Sequence, residues 1–176
     1  METATLIAAL IAASASLLKL FADRQSEDRG AYRRQLEPVV KDLGQAVYEV
    51  VAISFVLREA RPGQVQAWCD RAEQAKAKLT KVRPRARYPL WGLDEGLRTL
   101  ERLPGWMMHV REQPQRASRL IAAANDLRKM LDVTVLRCYR WGRSPSLMER
   151  AQVRLHSWRC RRQFEKPSPE NYPGLG

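Results

Sequence analysis

The histidines carry the clearest potential for chemistry in this sequence, because imidazole titrates near neutral pH and can transfer protons. Arg150 and His156 lie in one predicted helix with five residues between them. At such a spacing an arginine could bind a phosphate while the histidine acts on RNA as acid and base. However, 24 arginines among 176 residues make this pairing common by chance. His156 and Arg150 are therefore the catalytic candidates, but we expect a protein that is not an enzyme.

Cysteine and histidine also occur together at a spacing that metal sites use. His156 and Cys160 are four residues apart on one helix, and Cys138 lies in the preceding helix. These are zinc-ligand types, but no Cys-x-x-Cys pair accompanies them. Cys138 falls in an apolar seam, as a buried structural thiol would. We therefore expect no metal and no cofactor.

A third set of residues combines guanidinium groups with aromatic rings. Residues 83–91 contain three arginines, followed by Tyr88 and Trp91, and a later helix is rich in arginine. Arginine binds phosphate, while tyrosine and tryptophan stack on bases or lie at a lipid headgroup surface. A solvated exterior, contact with membrane lipids and binding of nucleic acid all fit this composition. The predicted anionic-partner or lipid-binding residues are Arg83, Arg85, Arg87, Tyr88, Trp91, Arg150, Arg154, Arg161 and Arg162.

The positive charge of the chain is unevenly distributed. The whole sequence has 31 Lys and Arg against 19 Asp and Glu, a net charge of +12. Residues 1–60 contain seven basic and eight acidic side chains, so that part is nearly neutral at −1. Residues 61–176 contain the other 24 basic and 11 acidic side chains, a net charge of +13. An anionic partner would therefore bind the later part of the chain.

The neutral part begins with an apolar segment that has the length of a membrane span. Residues 3–18 contain no charged side chain, and about 20 helical residues cross the hydrocarbon core of a bilayer. A signal peptide would need a basic start, which is absent, and an amphipathic helix at the surface of a soluble protein would be apolar on one face only. We expect a transmembrane anchor over 1–22, with Lys19 near its end.

The charges beside this segment predict its orientation. Arg24, Arg29, Arg33 and Arg34 follow it, and the positive-inside rule places such residues in the cytoplasm. We therefore expect a bacterial inner-membrane protein that crosses the membrane once, with its N-terminus outside. Small residues repeat every fourth position in the anchor, which favours close helix–helix approach and a homo-oligomer. The predicted self-association residues are Ala4, Ala8, Ala12 and Ser16.

The remaining chain shows apolar residues at the alternating four- and three-residue spacing of helices that pack together. No segment alternates with the period of a strand. The sequence therefore predicts an all-α protein, in which the N-terminal transmembrane or otherwise buried helix precedes an antiparallel bundle of four to five helices. The principal seams are Leu36–Val40–Leu43–Val47–Val50–Ser54–Leu57, Val65–Trp68–Ala72–Ala75–Leu79–Val82, Leu120–Ala124–Leu127–Leu131–Thr134–Cys138–Trp141 and Met148–Ala151–Leu155–Trp158.

Proline, glycine and capping residues predict where these helices begin and end. Pro84 and Pro104 are expected to end or interrupt helices, which makes 83–91 a basic, aromatic loop. Gly142 is expected to end the third of these seams, which begins at Leu120. Ser146 with Glu149 has the spacing of a capping box at the start of the last helix. Three tryptophans at seam positions are expected in the core: Trp68, Trp141 and Trp158.

Together these features predict four regions. They are an anchor over 1–22, a polar juxtamembrane helix or linker over 23–37, a helical bundle over 38–166 and a disordered tail over 167–176. The expected function is that of a membrane-anchored cytoplasmic interaction or scaffolding protein whose partners are membrane lipids and a protein. Two alternatives remain open. One is a nucleic-acid-binding bundle with its first helix buried in an oligomer, and the other is a membrane-disrupting effector or toxin that assembles through its N-terminal helix.

Overall fold

A computed structural model describes the backbone of residues 2–165 and the side chains of residues 19–165. Within this range all regular structure is helical, which confirms the all-α class. A short 3-10 turn, Pro62–Gln64, follows the first helix. The predicted tail over 167–176 lies outside the described residues. The five helices are α1 (Glu2–Glu59), α2 (Val65–Arg87), α3 (Asp94–Val110), α4 (Pro114–Trp141) and α5 (Leu147–Glu165).

The helices alternate in direction and form an antiparallel bundle, as predicted. Lys78 in α2 donates a hydrogen bond to Glu49 in α1 at 2.8 Å, and Arg58 near the end of α1 donates to Ser118 near the start of α4 at 3.3 Å. Helix α1 packs against α2, α3 and α4, whereas α5 packs against α3 and α4 alone. Helix α5 is therefore an outer helix, and one of its sides faces away from the bundle.

The apolar seams predicted for α1, α2 and α4 form most of the core. In α1, Leu36, Val50 and Leu57 are fully buried, and the hydroxyl of Ser54 donates to the Val50 carbonyl at 2.7 Å. Helix α1 runs without interruption through Pro38. The core therefore includes Leu36, which belongs to the stretch expected as a linker. Residues 19–29 of α1 are exposed, so this part of the helix extends from the bundle.

Two predicted helix ends are wrong, because packing holds helices together across prolines. Helix α2 continues through Pro84 to Arg87, and α3 continues through Pro104 to Val110. A proline removes one backbone hydrogen bond and costs about 3 kcal/mol within a helix. Complete burial of Leu103 and Met107 on either side of Pro104 offsets that cost. The loop expected over 83–91 is therefore reduced to the turn after Arg87.

The predicted seam of α5 is also wrong. Met148, Leu155 and Trp158 are 69%, 44% and 48% exposed. Ala151 is exposed as well. The core residues of α5 are on its opposite side: Glu149, Val153, Ser157 and Cys160.

Close packing explains this orientation of α5. A Cβ added to Gly96 of α3 would lie 2.8 Å from a Val153 methyl group, so the backbones approach each other closely there. A side chain as small as that of Val153 fits such an approach, and the other inward residues, Ser157 and Cys160, are small as well. The expectation that tryptophans lie in the core is likewise wrong for Trp141 and Trp158, while Trp68 is half-buried.

Candidate interaction surfaces

Three segments meet where the exposed part of α1 leaves the bundle. The Tyr32 hydroxyl of α1 donates to the carbonyl of Pro89 in the turn between α2 and α3. Arg33 donates to the Arg140 carbonyl near the end of α4 at 2.6 Å. Gly142 lies directly against Arg29. We call the surface formed by these three segments the α1 end of the bundle.

Large apolar and aromatic side chains are exposed at the α1 end. Tyr88 is 85% exposed, Trp91 61%, Trp141 57% and Leu147 80%. Single exposed apolar residues are ordinary, but a group of them on one surface indicates a contact with another molecule. Tryptophan and tyrosine are typical of surfaces that are partly apolar and partly hydrated.

An arginine is fixed against one of these rings. The Arg150 guanidinium lies over Trp91 at 4.0 Å from the ring centroid. The neighbouring Gly92 has a φ of +92°, and a Cβ at this position would lie 2.5 Å from the Cδ of Arg150. Glycine is therefore required here by both conformation and space. The pair presents a positive charge and an aromatic surface together.

A groove separates this turn from α1. It has a volume of about 820 Å³. Burial raises the pKa of the Tyr32 phenol well above its usual range, so the hydroxyl remains a hydrogen-bond donor to Pro89. The groove therefore combines a fixed structural contact with exposed polar and aromatic groups. Its lining consists of Asp28, Ala31, Tyr32, Gln35, Pro84, Arg87, Tyr88, Trp91 and Ser144.

Some of the predicted basic residues have carboxylate partners within the protein. Arg83 pairs with Glu101, and with Asp94 at 3.5 Å. Arg85 pairs with Asp42 at 3.2 Å. These pairs stabilise the bundle rather than leaving a full charge for an external anion.

The other predicted basic residues divide between two surfaces. Arg87 lines the groove together with Tyr88 and Trp91. Arg161 pairs with Glu95, whereas Arg154 is 69% exposed and lies 3.9 Å from the same carboxylate. The Arg162 guanidinium lies over the ring of Trp158 at 5.0 Å. The predicted set is thus not one site.

We call the surface formed by Met148, Ala151, Leu155 and Trp158 the outer face of α5. Its apolar residues have the spacing of a helix seam, and Met148, Leu155 and Trp158 are partly exposed, although Trp158 also lines the groove between α4 and α5. The sequence revealed the seam but not its direction. Leu147, which precedes this face at the α1 end, was not predicted as a surface residue. Its exposure follows from the orientation of α5.

A capping network fixes the start of α5. The Ser146 backbone N–H donates to the Glu149 carboxylate at 2.7 Å, and the Glu149 N–H donates to the Ser146 hydroxyl at 3.3 Å. This confirms the predicted capping box. Arg143 adds two hydrogen bonds to the same carboxylate, at 2.8 and 3.0 Å. Together they lower the pKa of Glu149 to about 2, Arg143 contributing most.

The structure does not bring Arg150 and His156 together. Arg150 packs on Trp91, whereas His156 lines a groove between α4 and α5 with Arg119, Asp126 and other residues. Six residues along a helix correspond to a rotation of about 240°. The two side chains therefore point in different directions and do not form the arrangement that phosphate cleavage would need.

The cysteines are likewise separate from any candidate metal centre. Cys138 and Cys160 are fully buried, and burial raises their pKa values to about 11 and about 12. Thiols of this kind are unreactive near neutral pH. Within the described residues, no group of three or more potential ligands is placed to hold a metal ion.

The self-association residues Ala4, Ala8, Ala12 and Ser16 lie outside the described side chains, as does most of the expected anchor. Within the described residues, no helix is both long and apolar enough to span a bilayer. Comparison with known proteins gives no match to a family model, a curated protein or a solved structure.

Proposed function

We propose that this protein is a membrane-tethered helical interaction protein, with residues 1–22 as the tether and the bundle as a cytoplasmic body. The observation that carries the proposal is the continuity of α1. One helix runs from Glu2 to Glu59, and its uncharged segment at 3–18 is followed by residues that pack in the bundle from Tyr32 onward. A tether built into the same helix as the core would hold the body in a defined orientation.

The composition of the α1 end supports this orientation. Ala22 and Tyr32 are ten residues apart, or about 15 Å along a helix. A bilayer that contains residues 1–22 would therefore lie close to Trp91, Trp141 and their neighbouring arginines. Tryptophan and tyrosine are enriched at headgroup depth, and each basic residue near an anionic surface contributes about 1 kcal/mol.

The proposal assigns no catalytic step to the protein. The tether determines location, the α1 end contacts lipid headgroups and the rest of the bundle is available for a protein partner. The small residues Ala4, Ala8, Ala12 and Ser16 would allow two tethers to pack closely, so that the protein self-associates.

Membrane fractionation of the tagged full-length chain tests the tether. We expect the chain to remain with the membranes after a carbonate wash. Leu10→Arg should increase its release, because a central arginine costs about 2.5–3.5 kcal/mol on insertion scales. Val133→Arg, at an exposed position of α4, is the matched control and should not increase release from the membranes. Release of the unaltered chain would contradict the proposal.

The basic surface also permits the alternative of nucleic-acid binding, and the same preparation can distinguish it. Nucleic-acid contacts release counterions, so their affinity falls steeply with salt. Tight, salt-dependent binding of RNA or DNA by a chain that the carbonate wash releases would favour that alternative over a tether.

A further inference from the structure

Helix α5 carries apolar residues on two opposite sides. At about 100° per residue, the buried stripe and the outer face are about 180° apart around the helix axis. The buried stripe consists of Glu149, Val153, Ser157 and Cys160, and the outer face consists of Met148, Ala151, Leu155 and Trp158. Helix α5 thus has two sides suited to packing, and within the described chain α3 and α4 pack against one of them.

The outer face has the geometry of a helix-pairing surface. Its residues follow the three- and four-residue spacing at which one helix packs along another. The close approach of Gly96 to Val153 leaves no space for a larger side chain at this point of the inner side. The larger residues Leu155 and Trp158 lie on the other side of the helix.

The charges beside this face are mostly basic. On a helical wheel Arg154 and Arg159 lie on opposite borders of the outer face, and Glu165 in the last turn is an acidic exception on the Arg154 side. Arg162 continues it and stacks on Trp158. The acidic Glu149 points inward, where it pairs with Arg143. A surface with an apolar centre and basic borders is complementary to an apolar stripe bordered by carboxylates.

We propose that the outer face of α5 binds an amphipathic helix of a partner protein whose apolar stripe is bordered by Asp and Glu. A second copy of α5 would place Arg154 and Arg159 against equivalent arginines, and like charges at such positions oppose pairing. The proposal extends the interaction role by naming a surface and a class of partner. The choice of a helix over a lipid surface rests on the proposed tether, whereas the choice of an acidic partner does not.

A lipid surface fits this face less well than a helix does. Leu147 and Trp158 are eleven residues apart, or about 16 Å along the axis of α5. A bilayer entered by α1 would meet the α1 end of the bundle and would reach Leu147 before Trp158. A partner helix lying along α5 would cover both ends of the stripe at once.

The test uses the purified full-length chain in a non-ionic detergent and a labelled three-heptad peptide. The peptide has leucine at its a and d positions and glutamate at its e and g positions. Fluorescence anisotropy should show saturable binding that weakens with salt. A peptide with lysine at e and g should bind at least tenfold more weakly. Equal binding of the two peptides, or binding of neither, would overturn the proposal.

Two variants with the same type of substitution locate the binding surface. Leu155 and Val133 are 44% and 42% exposed, so Leu155→Glu and Val133→Glu add a charge at comparable sites on α5 and α4. Circular dichroism first establishes that both remain folded. Leu155→Glu should weaken peptide binding at least tenfold and Val133→Glu less than twofold. Equal effects would place the contact elsewhere and contradict the proposal.

Charge reversal tests the complementarity. Arg154→Glu combined with Arg159→Glu should weaken binding of the acidic peptide and strengthen binding of the lysine peptide. Sedimentation could show that the protein is a dimer and that Leu155→Glu dissociates this dimer. The outer face would then bind a second copy of the chain, and the proposal would be overturned. Loss of anionic-vesicle binding in that variant, without loss of peptide binding, would assign the face to lipid. Release of the chain by the carbonate wash would contradict only the proposed tether, whereas the peptide experiments test only the outer face of α5. The two proposals can therefore be rejected independently.

Discussion

Glu149 shows how much one side chain can organise at the residue scale. Its carboxylate accepts hydrogen bonds from Arg143 and from the Ser146 backbone, and it is 5% exposed. It closes the first turn of α5 and joins that helix to the turn after α4. The Ser146–Glu149 part of this network follows from local spacing, whereas Arg143 reaches Glu149 only because the turn folds back.

Replacement of Glu149 by glutamine should make stability less dependent on acid. The folded pKa is lowered to about 2 from 4.5. Its contribution is therefore fully present above pH 4.5 and is lost as pH falls toward 2. We expect Glu149→Gln to lower the free energy of unfolding at pH 7 by about 2–3 kcal/mol. Urea denaturation of both proteins at pH 7 and pH 3 measures the effect.

The difference between the two proteins should be smaller at pH 3, because the unfolded state takes up a proton below pH 4.5 while the folded carboxylate stays ionised, and this favours unfolding. An equal loss at both pH values would indicate a steric effect and contradict the electrostatic explanation. Glu165→Gln is a suitable control, since this exposed glutamate has no ion pair among the described residues. It should change stability little at either pH.

At the element scale, the helices differ in how far their own sequences predict them. The seam of α1 from Leu36 to Leu57 is buried as its spacing predicts. Gly142, with a φ of +58°, ends α4 where expected because glycine adopts this conformation readily. The helix ends predicted at Pro84 and Pro104 are wrong, because the free-energy cost of a proline is local while the packing that offsets it comes from other helices.

Helix α5 is the least predictable element, because both of its sides contain apolar residues. Choosing between them requires knowledge of Gly96, which is distant in sequence and allows close approach only to small side chains. The outcome is that Val153 is buried and Leu155 is exposed. A spacing rule based on residue size would give the opposite result.

Two alanine substitutions check the orientation of α5. Val153→Ala should lower the free energy of unfolding by about 1–3 kcal/mol, because it removes buried methyl groups from a tight contact. Leu155→Ala should change it by less than about 1 kcal/mol, since Leu155 is partly solvated. Chemical denaturation of both variants measures the difference. A larger loss for Leu155→Ala would mean that α5 packs with its other side inward.

At the scale of the whole molecule, exposed aromatic residues from distant parts of the chain gather at the α1 end. Tyr88 and Trp91 come from the turn after α2 and Trp141 from the end of α4, and all three lie around the exit of α1. No single segment of the sequence contains this set. The net charge of +13 over residues 61–176 is distributed over the whole bundle, and part of it is neutralised by internal pairs.

Tryptophan fluorescence with anionic vesicles tests whether the α1 end faces lipid. We expect headgroup contact to change the emission of the full-length chain, and Trp91→Phe with Trp141→Phe to remove most of this change. Trp158→Phe should leave most of the emission change, because the Trp158 ring lies farther along α5 from the α1 end. If Trp158→Phe removed the change instead, the bundle would contact the membrane through the outer face of α5.

The sequence by itself determined the all-α class, the seams of α1, α2 and α4, and the cap at Ser146 and Glu149. These depend on residue spacing and on contacts between near neighbours, which a linear pattern contains. It also determined the apolar segment at 3–18, which carries the proposed tether.

Only the tertiary structure decided which side of α5 is buried, which arginines pair internally, and which aromatic residues gather at the α1 end. Each of these depends on groups that are distant in the chain: Gly96 with Val153, Arg83 with Glu101, and Tyr32 with Pro89. Close packing permits one arrangement of these groups among the many that the same pattern of apolar residues allows.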